Sequence, residues 1–308
     1  MNQPLVISVP EIEEVLQTSL SPALREQCLD ADLRYEELTD QERDSYILEV
    51  VEVLTRNDLP VSGEHRFPEW EEGWAENLEA LKKGQNLESL IPGYHGKHKL
   101  LHWKQRIIRP LVPYFDYRVH CLIVDWAIET YLCHVDALYE FGCGPAYHLL
   151  RARRYNPKAR LVGLDWAKSS QNIISEIVAS GLEANIEGRN FNFYEPDYSL
   201  DFAPNSGILT VAGIEQVSER FESFLQFLMQ KKPAVCVHLE PIDELMDQKH
   251  LIDRLSVLYC RKRNYLNGFL TRLHQLQGQG KVRIHREQRT YTGSFFIEGH
   301  SLVVWSPV

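Results

Sequence analysis

The chain lacks a surplus of basic charge, a long apolar run and any close pair of cysteines, and each absence removes a class of function. Of its 308 residues 43 are acidic and 33 basic, for a formal charge of -10, which argues against a phosphate-neutralising surface and so against nucleic acid as a partner. No apolar stretch approaches the roughly 20 residues of a membrane-spanning helix. Met1-Asn2-Gln3-Pro4 has neither a basic region nor an apolar signal core, so the expected chain is cytoplasmic with no membrane partner. The six cysteines, Cys28, Cys121, Cys133, Cys143, Cys236 and Cys260, are scattered without a C-x-x-C pair, as small core residues are. His95, His98 and His102 stand at spacings of three and four but bring no thiol or paired carboxylate, so no metal site is expected.

What is present is a hydrophobic content of 44%, enough for a full core. Up to about residue 135 the pattern is that of an extension with helical periodicity, as in Ile12, Val15, Leu16 and Ile47, Val50, Val51, Leu54. A connector rich in glycine and proline runs from Pro60 to Gly96, with a short helix near 74 to 83, and a further helix is expected over about Asp116 to His134. From about residue 136 short apolar runs alternate with helical ones, the signature of a largely parallel sheet. The expected strands are Ala137–Phe141, Arg160–Leu164, Ile186–Phe193, Ser206–Val211, Ala234–Leu239, Lys281–Gln288 and Ser301–Trp305, with helices near 146 to 154, 168 to 180, 216 to 230 and 243 to 277. Between the last two strands lie only Thr290 to His300, too few residues for a crossover helix, so that pair is expected to be antiparallel. The fold class is therefore α/β: seven strands, mostly parallel, in a three-layer arrangement ending in an antiparallel hairpin, over residues 136–308 behind a helical extension, 1–135.

The most informative segment runs Glu140-Phe141-Gly142-Cys143-Gly144-Pro145-Ala146-Tyr147. A strand entering two glycines turns sharply and lets bare backbone approach a ligand, while the helix that follows offers unpaired amides. Asp165 closes the next strand twenty-one positions after Gly144, where a carboxylate can accept hydrogen bonds from both hydroxyls of a ribose. The dinucleotide fingerprint fails at its third position, which is Tyr147. Read as acid-x-G-x-G-x-small, the segment gives Glu140, Gly142, Gly144 and Ala146, and here the chain resembles the class I S-adenosylmethionine-dependent methyltransferases, with alanine at the usual third glycine. The resemblance covers about residue 136 to the C-terminus.

The resemblance implies a Rossmann-like fold, S-adenosyl-L-methionine as cofactor, Gly142 and Gly144 beside its methionyl part, Asp165 on the ribose, Trp166 by the adenine, and Asn192 and Phe193 at the adenine edge. Ligands of open parallel sheets lie outside the carboxyl ends of the strands, so Glu215, His238 and Glu240 are the expected catalytic groups. Arg261 and Arg263, in a basic and aromatic run with Tyr259 and Tyr265, suit a carboxylate or a phosphate. The segment holding Tyr94, His95, Lys97, His98, Trp103 and Arg106 is the expected lid. The expected activity is methyl transfer to a small-molecule metabolite, with a homodimer allowed. The main alternative is an enzyme of the same fold that cyclises the cofactor to azetidine-2-carboxylate and releases methylthioadenosine. No Asn-Pro-Pro-Tyr-like tetrapeptide follows the fourth strand, which further weakens a nucleic-acid substrate.

Overall fold

A computed structural model describes residues 4–84 and 86–308. Met1 to Gln3, on which the reading of the N-terminus partly rests, lie outside the described residues. In chain order the elements are β1 (Leu5–Val6), α1 (Val9–Leu16), α2 (Pro22–Asp30), β2 (Arg34–Glu37), α3 (Asp40–Thr55), α4 (Phe67–Gly84), β3 (Leu101–Trp103), β4 (Arg106–Pro110) and α5 (Phe115–Tyr131). They continue with β5 (Ala137–Phe141), α6 (Tyr147–Ala152), β6 (Arg160–Asp165), α7 (Lys168–Ala179), β7 (Ile186–Asn190), β8 (Ser206–Val211), α8 (Glu222–Lys231), β9 (Val235–Glu240), α9 (Leu251–Lys262), α10 (Phe269–Gly278), β10 (Val282–Arg289), β11 (Thr292–Gly293) and β12 (Ser301–Pro307).

Seven strands form one sheet in the order β10-β12-β9-β8-β5-β6-β7. The pairs from β9 through β7 are parallel, whereas β12 runs antiparallel to both β9 and β10. Every residue of β5 is buried, as a central parallel strand covered on both faces requires. Alternation sorts the side chains: Leu138, Leu161, Leu209, Val237 and Val304 pack with α5, α6 and α7. Tyr139, Phe141, Val162, Ile208 and Trp305 face α8 and α10. On that second side Phe141, Phe191, Phe193, Phe224 and Phe227 meet mostly edge to face or tilted, the arrangement ring quadrupoles favour.

The extension departs from the helical expectation in one respect. Its short strands build a second, antiparallel sheet, β1-β2-β4-β3-β11, whose last strand is lent by the segment between β10 and β12. The sequence hid this sheet because its strands are two to five residues long, too short for a period of two to emerge. Other boundaries moved too. The expected helix near 74 to 83 is the longer α4, and the expected helix from 243 to 277 is broken into α9 and α10 by a turn in which Asn264 and Gly268 take positive φ.

The two sheets are tied at the β3–β4 hairpin, whose turn residues Lys104 and Gln105 both hold left-handed backbone (φ 49° and 61°). Glu298 accepts the Gln105 amide at 2.7 Å, and Asp253 of α9 accepts the Gln105 side chain at 3.0 Å. Arg289 grips Asp253 with both terminal nitrogens, at 2.6 and 2.9 Å. Asp253 is fully buried, and breaking such a pair strands a charge. We therefore expect Asp253→Asn to lose about 3–5 kcal/mol in urea unfolding, and Asp253→Leu combined with Arg289→Met to recover part of that loss.

Candidate functional site

The glycine turn is organised by one carboxylate. Asp165, at the end of β6, accepts the Gly144 amide through Oδ2 and the Ala167 amide through Oδ1, each at 2.9 Å. Burial raises its pKa to about 6 against the lowering effect of those two amides. Gly142 and Gly144 sit at φ 71° and 49°, in the left-handed region that glycine enters without penalty. A Cβ at Gly144 would lie 2.8 Å from the Trp74 ring, and one at Gly142 would lie 3.1 Å from Gly213 Cα. Ala146 takes φ 60°, so the alanine occupies a conformation that a glycine would adopt more cheaply.

Two cavities meet at this turn. The smaller, of about 40 Å³, is bounded by Asp165, Trp166, Phe193, Trp70, Trp74 and Gln216, room for no more than a few waters. The larger encloses about 350 Å³ and has Gly142, Gly144, Ala212 and Glu215 on its wall. Its other walls come from α4, from the segment around Tyr94 to Trp103, from α5, and from Tyr259, Arg263 and Phe296. Trp70 and Trp74 stack with ring centres 5.7 Å apart, and Phe67 lies 4.0 Å from the Trp166 ring, so α4 roofs both cavities.

The residues expected to hold a cofactor divide. Gly142, Asp165, Trp166 and Phe193 come together on the small cavity, and Gly144 lines the large one. Ala146 is buried behind the turn, where it begins α6. Asn192 borders neither cavity; its Oδ1 accepts the Tyr194 amide at 2.9 Å. Glu140 is buried beneath the site, with one oxygen 2.8 Å from His148 Nδ1 and the other without a partner.

Of the three expected catalytic groups only Glu215 reaches the cavity. Burial, reinforced by the nearby Glu240, lifts its carboxyl to about 8. Glu240 is fully buried behind the wall, where its oxygens accept the amides of Gly213, Ile214 and Glu215 at 3.0, 3.2 and 3.1 Å, and burial raises it to about 7. It shapes the turn after β8. His238 has both ring nitrogens committed: Nε2 accepts from Trp305 at 2.9 Å and Nδ1 meets the Thr210 hydroxyl at 2.9 Å. With its pKa driven to about 3 by burial, it is a core residue of the strand in this structure.

Sequence reasoning missed an imidazole wall. His120 of α5 has ring centres of His95, His148 and His300 at 5.7, 5.6 and 5.9 Å. Burial first, then those three neighbours and Arg151, push its pKa well down. His95 Nδ1 lies 3.1 Å from Asp116. Burial works against the Asp116 carboxylate, yet the bonds from His95 and the Gly96 amide hold it below its ordinary range. The other three histidines stand 25 to 180 positions from His120 in the chain, so no local motif could reveal them. Among the described residues no three His, Cys, Asp or Glu side chains gather as metal ligands, and no helix is long and apolar enough to cross a membrane. Tyr94, His95, His98 and Trp103 of the expected lid line the large cavity; Lys97 and Arg106 do not.

The chain matches no family model and no curated protein. Its fold is similar to several solved structures. One is NcsB1, an O-methyltransferase of neocarzinostatin biosynthesis, in complex with S-adenosylmethionine and 2-hydroxy-5-methyl naphthoic acid, 12% identical over 63% of this chain with a TM-score of 0.45. This chain spans 57% of that one. Another is the magnesium protoporphyrin IX methyltransferase of Synechocystis with bound SAH, at 14% identity, 62% of this chain, 85% of that one and a TM-score of 0.45. A third is human N-acetylserotonin methyltransferase in complex with SAM, at 11% identity, 96% of this chain, 74% of that one and a TM-score of 0.42. At these identities the likeness adds nothing beyond the fold described above.

Two outcomes follow from the site's geometry. Gly144→Ala should destabilise the protein by about 1–3 kcal/mol, and in a Trp74→Ala background the cost should shrink by more than about 0.5 kcal/mol, read from denaturant midpoints. The raised carboxyls give a second. Glu215 and Glu240 keep their protons in the folded chain from the ordinary 4.5 up to about 8 and about 7, so the folded state binds more protons there than the unfolded state does. Their contribution is complete below about pH 4.5 and is lost as the pH rises through those values; Glu215→Gln should flatten the decline between pH 5 and 9.

Proposed function

We propose that the chain transfers a methyl group from S-adenosyl-L-methionine to a small molecule held in the larger cavity. The observation that carries this reading is the Asp165 clasp: a carboxylate fixed beside a bare glycine turn, at the carboxyl ends of β5 and β6, opening onto a mostly apolar cavity large enough for a metabolite. The donor set fits the cofactor: Asp165 retains acceptor capacity for ribose hydroxyls, Gly142 and Gly144 leave a cradle that a Cβ would fill, and Trp166 and Phe193 offer flat apolar faces. The volume beside Asp165 fits only when the Trp70 and Trp74 rings move aside, so α4 and the segment from Tyr94 to Trp103 act as a lid. Residues 1–135 are thus a cap over a domain of residues 136–308.

When bound, the cofactor supplies an electrophilic methyl group and a ready leaving sulfur. The chain's task is then positioning, dehydration and proton removal. The cap excludes water through Trp70, Trp74 and Tyr94, together with Phe296 from the segment between β11 and β12. Glu140 accepts His148 Nδ1–H and so leaves Nε2 as the basic nitrogen at the cavity, where it takes the proton of a hydroxyl acceptor. Glu215, mostly protonated at neutral pH, is placed to donate a hydrogen bond to the acceptor.

Calorimetric titration with S-adenosylhomocysteine tests the reading. Wild-type protein should bind it, and Asp165→Asn, checked for folding by circular dichroism, should bind at least about tenfold more weakly, the worth of one charge-assisted hydrogen bond. Incubation with S-adenosylmethionine and acceptor should release S-adenosylhomocysteine. Methylthioadenosine as product would assign the cyclisation instead, and absence of binding would remove the proposal.

A further inference from the structure

Arg263, at the C-terminal end of α9, is nine-tenths buried and lines the larger cavity. Its guanidinium lies between two phenol rings, 5.2 Å from the centre of Tyr265 and 6.0 Å from that of Tyr259. Its Nε is buried without a hydrogen-bond partner. Neighbouring charges are already engaged elsewhere. Arg66 pairs with Glu69 at 2.7 Å, and Asp243 faces Arg261 at 3.4 Å. Among the described residues no carboxylate lies within ion-pair distance of Arg263, in contrast to the buried Arg151 and the partly buried Arg289, each of which has a carboxylate partner.

Buried cations are ordinarily paired, because removal from water is costly without a counter-charge. The one carboxyl nearby on the cavity wall is Glu215, which accepts the Gln216 side chain at 2.8 Å and, raised by burial to about 8, holds its proton at neutral pH. The two tyrosine rings flank the guanidinium, and Tyr265 also hydrogen-bonds it, but neither brings a counter-charge, and the cavity that Arg263 lines is made apolar on this side by Phe296, Ile297 and Tyr265.

We propose that Arg263 is the receptor for the carboxylate of an aromatic or otherwise apolar organic acid, so that the molecule methylated in the reaction proposed above is itself an acid. A single guanidinium without a carboxylate partner matches the two oxygens of a carboxylate. A phosphate dianion would call for a second free cation, and Arg66 is paired. The specificity assigned to Arg263 rests on the methyl-transfer reading, but its anion binding is measured independently of it.

The test is calorimetry on the full chain at pH 7 with benzoate and its neutral isostere benzamide, with and without S-adenosylhomocysteine. Wild-type protein should prefer benzoate by at least about tenfold. Arg263→Gln should lose that preference while keeping its affinity for S-adenosylhomocysteine, and Arg263→Lys should keep part of it. Equal binding of the two probes, binding of neither, inorganic phosphate binding in place of benzoate, or undiminished benzoate preference in Arg263→Gln would each overturn the proposal. Should Arg263→Gln not fold, the wild-type ratio and Arg263→Lys decide. Benzoate binding without S-adenosylhomocysteine binding would leave the anion site standing and remove the methyl-transfer reading.

Discussion

A carboxylate that accepts two backbone amides from different segments is the constraint on which the rest of the site depends. Asp165 reaches back twenty-one positions to the Gly144 amide and forward two to that of Ala167, so the turn after β5 and the turn into α7 cannot move independently. Each bond has a charged acceptor in a buried setting and is stronger than a neutral amide pair. The left-handed backbone at Gly142, Gly144 and Ala146 is held by this clasp together with the amides of Gly142 and Cys143, which bond the Leu164 carbonyl at 2.7 and 3.1 Å. Around that fixed turn the strand ends, the aromatic roof of α4 and the imidazole wall are arranged.

Behind the opposite wall Glu240 plays a comparable part. Its three bonds to the amides of Gly213, Ile214 and Glu215 hold the turn after β8 against the glycine turn, with Ala212 forced to φ 52°. Strained backbone of this kind persists only where surrounding contacts over-determine it. The chain Trp305 to His238 to Thr210 runs alongside, so the polar groups inside β9 serve its position in the sheet. The sequence placed His238 and Glu240 at a strand exit; packing turned both into scaffold and left Glu215, which that scaffold aims, at the cavity.

How much was legible follows from the range of the signals. Residues 136–308 carry long, regular signals: main-sheet strands of five to eight residues, an acid-x-G-x-G turn, and a carboxylate at the next strand end. These are local, and the sheet with its antiparallel hairpin could be read from them. The small-cavity residues Gly142, Asp165, Trp166 and Phe193 were legible for the same reason. Asn192 lies two residues beyond the end of β7, whose last residue is Asn190, and there its side chain closes a local turn. The second sheet and the imidazole wall depend on segments far apart in sequence coming together, whereas the Glu140–His148 pair joins residues only eight positions apart across the glycine turn. Such contacts leave no periodic trace, and His120 reads in sequence as one more polar position on α5.

Burial gives the cavity a common electrostatic character. His120 is held neutral by desolvation and by its imidazole neighbours, His300 by desolvation and by His95, and Glu215 keeps its proton; the wall therefore offers little free charge apart from Arg263. In such an enclosure opposite charges attract far more strongly than in water, and a reaction in which a cation and an anion become two neutral molecules gains from the absence of solvent that would otherwise stabilise the separated ions. A sulfonium and a deprotonated oxygen are such a pair. The carboxylate of the acceptor proposed above would not share in that cancellation and would need a permanent counter-charge of its own. An arginine, which stays protonated at any physiological pH, can supply that charge in full without perturbing the neutrality of the imidazoles, where a lysine in the same apolar surroundings would hold its proton less firmly and supply it only in part.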